Sequence, residues 1–405
     1  MKSISLPFWL VLSIVLLCLG VTVLFMFIRP FNTGSVPDSE LFARYGSFIG
    51  GVIGTFLSIL SALLIYSTFK SQQEQFSAQE NFFKRERFES LFFEMVRSNR
   101  QIVAEMLFKT PDDYMAADNR GEINGGIASY VELSGQKIFV KFRLHFIQAM
   151  TETKDLIMHA WDNNEFFSDQ SASSREEAIL RNYLGDRYHS NILRQASTVN
   201  IIYHCVFYGV SRYGQGTVIN TLKNTYNQQL IEKIVRRLRC KPVKWNTEYW
   251  EKYAEAKKTQ FDNFDPAAFP AISFIKYYGG HHHRLGHYFR QMFTLLNLVN
   301  NEPGLSFNER LHYVKVFRSQ LSTYEQAILF LNSLSFPGRV WELQAEQNPK
   351  PDNIYDKRLI TKYDLVTNLS DFFLEGIEVS TYYPLVEFET GPLIPEKEVL
   401  KKNYA

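Results

Sequence analysis

The sequence predicts an all-α protein: an N-terminal two-helix transmembrane hairpin followed by a helical cytosolic domain. Three observations point there. Residues 8–28 and 45–69 carry no charged side chain, and a helix of roughly 20 residues spans the ~30 Å of a bilayer core. Beyond residue 69, apolar residues recur mostly at helical spacing. Strand signals are few, and no internal repeat or low-complexity stretch interrupts the pattern.

Composition bounds the rest. The chain has 405 residues, 45% hydrophobic and 21% charged, with 34 Phe, 22 Tyr and only 3 Cys. That excludes a disordered chain and a disulfide-stapled secreted domain. The net charge of +2 lacks the basic excess of a protein that grips nucleic acid phosphates.

The first run exceeds the apolar core of a cleaved signal peptide, and Arg29-Pro30-Phe31 follows it without a small-residue cleavage site. It is therefore read as a retained helix of about residues 8–28. In the second run, Gly46, Gly50, Gly54, Ser58 and Ala62 stand four apart, a spacing that lets another helix backbone approach closely. Lys70, Lys84, Arg85 and Arg87 follow the second run. By the positive-inside rule that side is cytoplasmic, which places both termini inside. Cys205 and Cys240 then face a reducing compartment, and no disulfide is expected.

Residues 70–108 form an amphipathic stalk helix with Phe76, Phe83, Phe88, Phe92 and Met95 on its apolar face. It either continues the second span or begins after a kink. Residues 109–126 read as a loop, with Thr110-Pro111-Asp112-Asp113 and Asn124-Gly125-Gly126. Helical patterns follow at 128–160, 175–209, 217–239 and 247–260, and Ser173 and Ser174 before Glu176 and Glu177 mark a helix start. The cytosolic core extends over 109–336, and 337–405 hold a last helix near 358–374 and an irregular tail.

Nucleotide-binding loops, the nucleophile elbow and zinc motifs are absent from the sequence. No catalytic residue, metal ligand set or cofactor is assigned. Two polar clusters stand out. His281, Arg284, His287, Tyr288 and Arg290 gather at an expected helix start after Gly279-Gly280. His283 and His287 share a helix face as two metal ligands can, but no carboxylate completes the set. The second cluster is Tyr313, Lys315, Arg318, Gln320, Ser322, Glu325 and Asn332. It lies in a strongly helical stretch, where Arg318, Ser322 and Glu325 occupy one face at i, i+4 and i+7. These twelve residues are the candidate ligand or trigger network. The basic run Lys233, Arg236, Arg237, Arg239, Lys241 and Lys244 suits a helix C-terminus ended by Pro242.

The stretch 280–332 resembles the putative phage abortive infection protein family. The matching residues are Gly280-His281, Leu285-Gly286, Tyr288-Phe289-Arg290, Tyr313, Lys315, Arg318, Gln320-Leu321-Ser322, Glu325 and Asn332. The Phe-rich segment Phe88-Glu89-Ser90-Leu91-Phe92-Phe93 after two apolar runs resembles it more loosely. The resemblance implies a bacterial anti-phage role at the inner (plasma) membrane, of the kind played by two-helix effectors associated with retrons, in which the infected cell is killed or arrested. It brings no catalytic residue with it.

The leading expectation is a membrane-anchored effector whose hairpin disrupts the inner membrane on a signal from the cytosolic domain. Its expected partners are the lipid bilayer, further copies of the chain, and an operon-encoded defence partner or phage-derived trigger. One alternative is a membrane-tethered nuclease or nucleotide-processing toxin centred on His281, His287, Arg290, Arg318 and Glu325. The other is a membrane receptor or scaffold without toxicity of its own.

Overall fold

The computed structural model describes residues 39–111, 130–211, 214–239, 279–343, 358–370, 373–374, 376–389, 391 and 394, with isolated positions at 13, 16, 20 and 23. Two compact units divide the chain, Met1–Phe88 and Glu89–Ala405. The division falls inside the first helix, α1 (Ser39–Glu105). The described residues are mostly helical, as the sequence predicts.

In the first unit, the second uncharged run lies within α1. Phe48, Phe56, Ile59, Leu63, Ile65, Tyr66 and Phe69 are each more than half exposed. A side chain added at Gly46, Gly50 or Gly54 would meet no atom of the described residues within 4 Å. Ser58 spends its hydroxyl on the Gly54 carbonyl, at 2.8 Å. No helix among the described residues is long and apolar enough to cross a membrane. The side chains of Tyr45, Ile49, Val52 and Ile53, which belong to the uncharged run, lie outside the described set, as does the first run 8–28 apart from its four isolated positions.

In the second unit, α1 ends at Glu105 and the chain turns into an antiparallel hairpin of β1 (Leu107–Pro111) and β2 (Tyr130–Ser134), with Leu107 opposite Ser134. This corrects the sequence reading, which ran a loop through 109–126 and a helix from 128. Phe108 is buried between exposed Leu107 and Lys109, the period-2 pattern of a strand. Five residues are too few to outweigh the helical pattern on either side.

Helix α2 (Lys137–Asp162) follows the hairpin. The expected helix 175–209 is two: α3 (Gln170–Leu184) and α4 (Ser190–Tyr208), parted by a 3-10 turn at Gly185–Arg187. The cap of α3 is Asp169, whose side chain accepts from the Ala172 amide at 2.7 Å, so Ser173 and Ser174 lie inside the helix. The expected helix 217–239 is likewise two, α5 (Gly214–Leu222) and α6 (Gln228–Arg239). In α6, Arg237 is tied to Asp155 at 2.7 Å, so part of the basic run serves internal packing. Lys241, Lys244 and the expected helix 247–260 lie outside the described residues.

Three helices follow in close order: α7 (His282–Asn301), α8 (Phe307–Arg318) and α9 (Thr323–Leu334). A 3-10 turn at Phe336–Trp341 and two short helices, α10 (Leu359–Tyr363) and α11 (Val379–Tyr382), complete the described chain. The expected helix near 358–374 is thus a single helical turn followed by turns.

Helices α2, α4 and α9 pack on one another. Every residue of α9 from Glu325 to Leu334 is buried. A helix buried on all sides lies at the centre of the core, and this one carries two of the candidate site residues, Glu325 and Asn332, into it.

Candidate functional site

The break between α8 and α9 decides the chemistry of the second cluster. Arg318 ends α8, and Ser322 is the N-cap of α9. Its hydroxyl accepts from the Glu325 amide at 3.3 Å, and Glu325 Oε2 accepts from the Ser322 amide at 2.9 Å. This reciprocal capping box overturns the reading of Arg318, Ser322 and Glu325 as one helix face. It also bends the Glu325 carboxylate back over the helix start, where it is fully buried.

A buried carboxylate requires a cation and hydrogen bonds, and Glu325 has both. Arg100, on α1, donates to Oε1 at 2.8 Å and to Oε2 at 3.4 Å. Tyr288, on α7, donates to Oε1 at 2.9 Å. Arg100 further donates to the Gln320 carbonyl at 2.9 Å and to Asn99 Oδ1 at 3.1 Å. Burial alone would lower the Arg100 pKa, but the Glu325 hydrogen bond and charge outweigh it and hold the guanidinium above its ordinary value. Burial, then the charge of Glu325, pushes the Tyr288 phenol well above its usual range. The donors therefore remain protonated, and both Glu325 oxygens are committed.

Asn332, at the other end of α9, is buried in a second network. Its Nδ2 donates to Tyr203 Oη at 2.8 Å, and its Oδ1 accepts from Trp341 Nε1 at 2.9 Å. Its carbonyl accepts from the Ser335 amide at 2.9 Å. Gly338 folds over it, and a Cβ there would stand 2.1 Å from the Asn332 carbonyl oxygen.

The first cluster divides. Gly280, at φ +88°, fits because a Cβ would come within 2.5 Å of the Tyr208 carbonyl oxygen, and the His281 amide donates to the Phe207 carbonyl at 2.7 Å. This fastens the start of α7 to the end of α4. The His281 ring is fully buried among Phe108, Phe142 and His145, with centroids at 4.6, 5.2 and 5.8 Å. Neither of its ring nitrogens has a hydrogen-bond partner among the described residues. Burial, with the charges of Arg284, His283 and Lys141, lowers its pKa to about 3, so the ring is neutral. Arg284 donates to the Leu107 carbonyl and lies over the Phe108 ring, 5.0 Å from its centroid.

The remaining candidates are scattered. His287, Arg290 and Lys315 are exposed. Arg318 donates to the carbonyls of Tyr363 and Asp364, at 3.2 and 2.8 Å. Tyr313 donates to Glu89 Oε1 at 2.7 Å and packs on Phe92. The structure thus joins Tyr288, Ser322 and Arg100 on the Glu325 carboxylate, with Gln320 held by Arg100, and leaves the proposed nuclease centre unassembled. His283 and His287 both lie on exposed positions of α7, and no group of three His, Cys, Asp or Glu is placed to hold a metal ion among the described residues.

Sequence reasoning missed Arg100, although a signal exists. Arg100 stands four residues after Val96 and three before Val103, both buried, at the edge of the apolar stripe of α1. Glu342 was also missed. It is fully buried, accepting from Tyr183 Oη at 2.8 Å and from the Ile360 amide at 3.0 Å. Burial raises its pKa despite these bonds.

No curated protein and no solved structure matches the chain. A family match covers residues 280–345. That stretch holds the start of α7, the Tyr288–Glu325 contact, the capping box and the Asn332–Trp341 bond. Over residues 280–345, therefore, the chain carries the segment of the putative phage abortive infection protein family, in agreement with the resemblance read from its sequence.

Proposed function

We propose that the protein is a membrane-anchored abortive infection effector. The cytosolic helices hold it in a resting arrangement, and the two apolar runs disrupt the bacterial inner membrane on activation. The family match over 280–345 carries the abortive infection role. The absence of charge from residues 8–28 and 45–69 and the exposed apolar side chains of the second run support the membrane anchor. The basic residues after position 69 support cytoplasmic termini.

Within this reading, the Arg100–Glu325–Tyr288 network is the control element. It joins the C-terminal end of α1 to the family segment, and the N-terminal part of the same helix carries the second apolar run. A phage-derived trigger or operon-encoded partner that displaces one of these groups would release α1. Space left by the described residues at Gly46, Gly50 and Gly54 supports clustering of chains through that face. The bonds that Glu325 accepts from Arg100 and Tyr288 tie α9 to α1 and α7, and its bonds with Ser322 close the cap of α9, which supports the effector reading over the nuclease.

Infection at high phage dose tests the role. Cells carrying the protein should collapse before phage release, whereas cells carrying Gly50→Leu/Gly54→Leu at equal expression should lyse on the normal phage schedule. Survival of infected wild-type cells would instead indicate a receptor or scaffold.

A further inference from the structure

A groove of about 410 Å³ runs between α2 and α4, away from the Glu325 network. That volume is within the range of small-molecule sites. Its apolar wall is Ile147, Met150, Ile157 and Met158 from one face of α2, with Leu374 above them. The segment carrying Leu374 is fastened at both sides. Arg143 on α2 donates to the Phe373 carbonyl at 2.8 Å, and Gln195 on α4 donates to the Gly376 carbonyl at 2.7 Å.

The polar side of the groove is selective in sign. Lys154 and Arg194 line it, and no carboxylate does so among the described residues. The neutral polar groups are already spent. Thr151 donates to the Ile147 carbonyl, Thr198 donates to the Arg194 carbonyl, and Gln195 Oε1 accepts from Tyr382. Asp155, next to Lys154 in sequence, is committed to Arg237. Among the described residues, Arg194 donates to Asn191 at a long 3.4 Å. The groove therefore offers two cationic donors beside an aliphatic and thioether wall.

We propose that this groove binds a small organic phosphate: a phosphate group held by Lys154 and Arg194, on an apolar body laid along Met150, Met158 and Leu374. Arginine and lysine supply charge-assisted bonds to phosphate oxygens. Methionine adapts to either an alkyl chain or an aromatic base. The site does not depend on the membrane reading, because all of its residues belong to the second unit.

Titration calorimetry of the full chain in neutral detergent tests it, with adenosine 5′-monophosphate, octyl phosphate and inorganic phosphate as probes. At least one organic phosphate should bind at one site per chain, and at least about tenfold more tightly than inorganic phosphate, which lacks the body. Preference for the nucleotide or the alkyl ester identifies the class of body. Lys154→Met and Arg194→Met should each weaken that binding about tenfold. Met158→Trp, which fills the groove, should abolish it while leaving the thermal transition in place. Equal binding of all three probes, no saturable binding of either organic phosphate, or binding indifferent to both cation substitutions would overturn the proposal.

Discussion

Glu325 and His281 show two different ways in which this core tolerates a polar group. Glu325 is buried with its charge and matched by Arg100, Tyr288 and Ser322. Removing one partner leaves an uncompensated ion, so Arg100→Met should cost about 3 kcal/mol, read as a lower thermal transition of the full chain in detergent. Arg100→Met/Glu325→Met should then be less destabilised than the sum of the single changes by more than about 1 kcal/mol, since the two groups are in contact. Strict additivity would mean that the pair contributes no coupling. His281 is instead buried neutral. The folded chain holds its pKa at about 3, and that of His204 at about 4, both chiefly through burial, whereas an unfolded histidine titrates near 6.5. Below about pH 6.5 the unfolded chain takes up protons that the folded one refuses. Stability is therefore full above that pH and falls as the pH drops toward 4 and then 3. His281 alone should account for about 2 kcal/mol lost between pH 7 and pH 5. Denaturant titrations of His281→Phe at the two pH values should show a correspondingly smaller loss than those of the wild type.

At the scale of elements, two helices begin with the same four-residue device. Ser306 and Glu309 open α8, as Ser322 and Glu325 open α9. The first box is largely exposed, and Ser306→Ala should cost about 1 kcal/mol. Ser322→Ala should cost clearly more, because its hydroxyl also donates to the buried Glu325 carboxylate at 2.8 Å. Equal costs, measured by thermal unfolding, would show that Ser322 acts only as a cap. The second device is the glycine that closes over Asn332. Gly338→Ala should destabilise by about 3 kcal/mol or more, since the clash is with backbone that also accepts the Ser335 bonds. The same elements show what the sequence made legible. The periodicity of α1 and α2 was readable because their apolar stripes are long. The serine–x–x–glutamate pattern at Ser322 was also present and marks a helix start, yet the apolar residues on either side run on at helical spacing and conceal the break. Gly185, at φ +56°, likewise marks the end of α3, yet apolar residues run on past it into α4. The strands β1 and β2 could not be read, because their pairing is made across residues 107–134 and each strand has only five residues.

For the whole molecule, the site was legible in its residues and not in its assembly. Tyr288, Ser322, Glu325 and Asn332 were identified from the family-like pattern, and the core uses all four. Arg100, the cation that pairs with Glu325, lies more than two hundred residues from it, a distance that no local pattern spans. The same long-range bond motivates the account of function: the family segment holds the end of a helix whose other end carries the uncharged run. If the bond is the latch, Glu325→Ala should make the full chain toxic without phage, at expression levels where the wild type is harmless. A protein merely weakened in its core would instead be degraded and lose protection.

The most direct measurement follows membrane potential with a voltage-sensitive dye in infected cells. With the wild-type chain, depolarisation should precede phage release, and with Gly50→Leu/Gly54→Leu it should be absent. Growth arrest or death of wild-type cells with the potential intact, or equal depolarisation by the double variant, would contradict killing through the membrane.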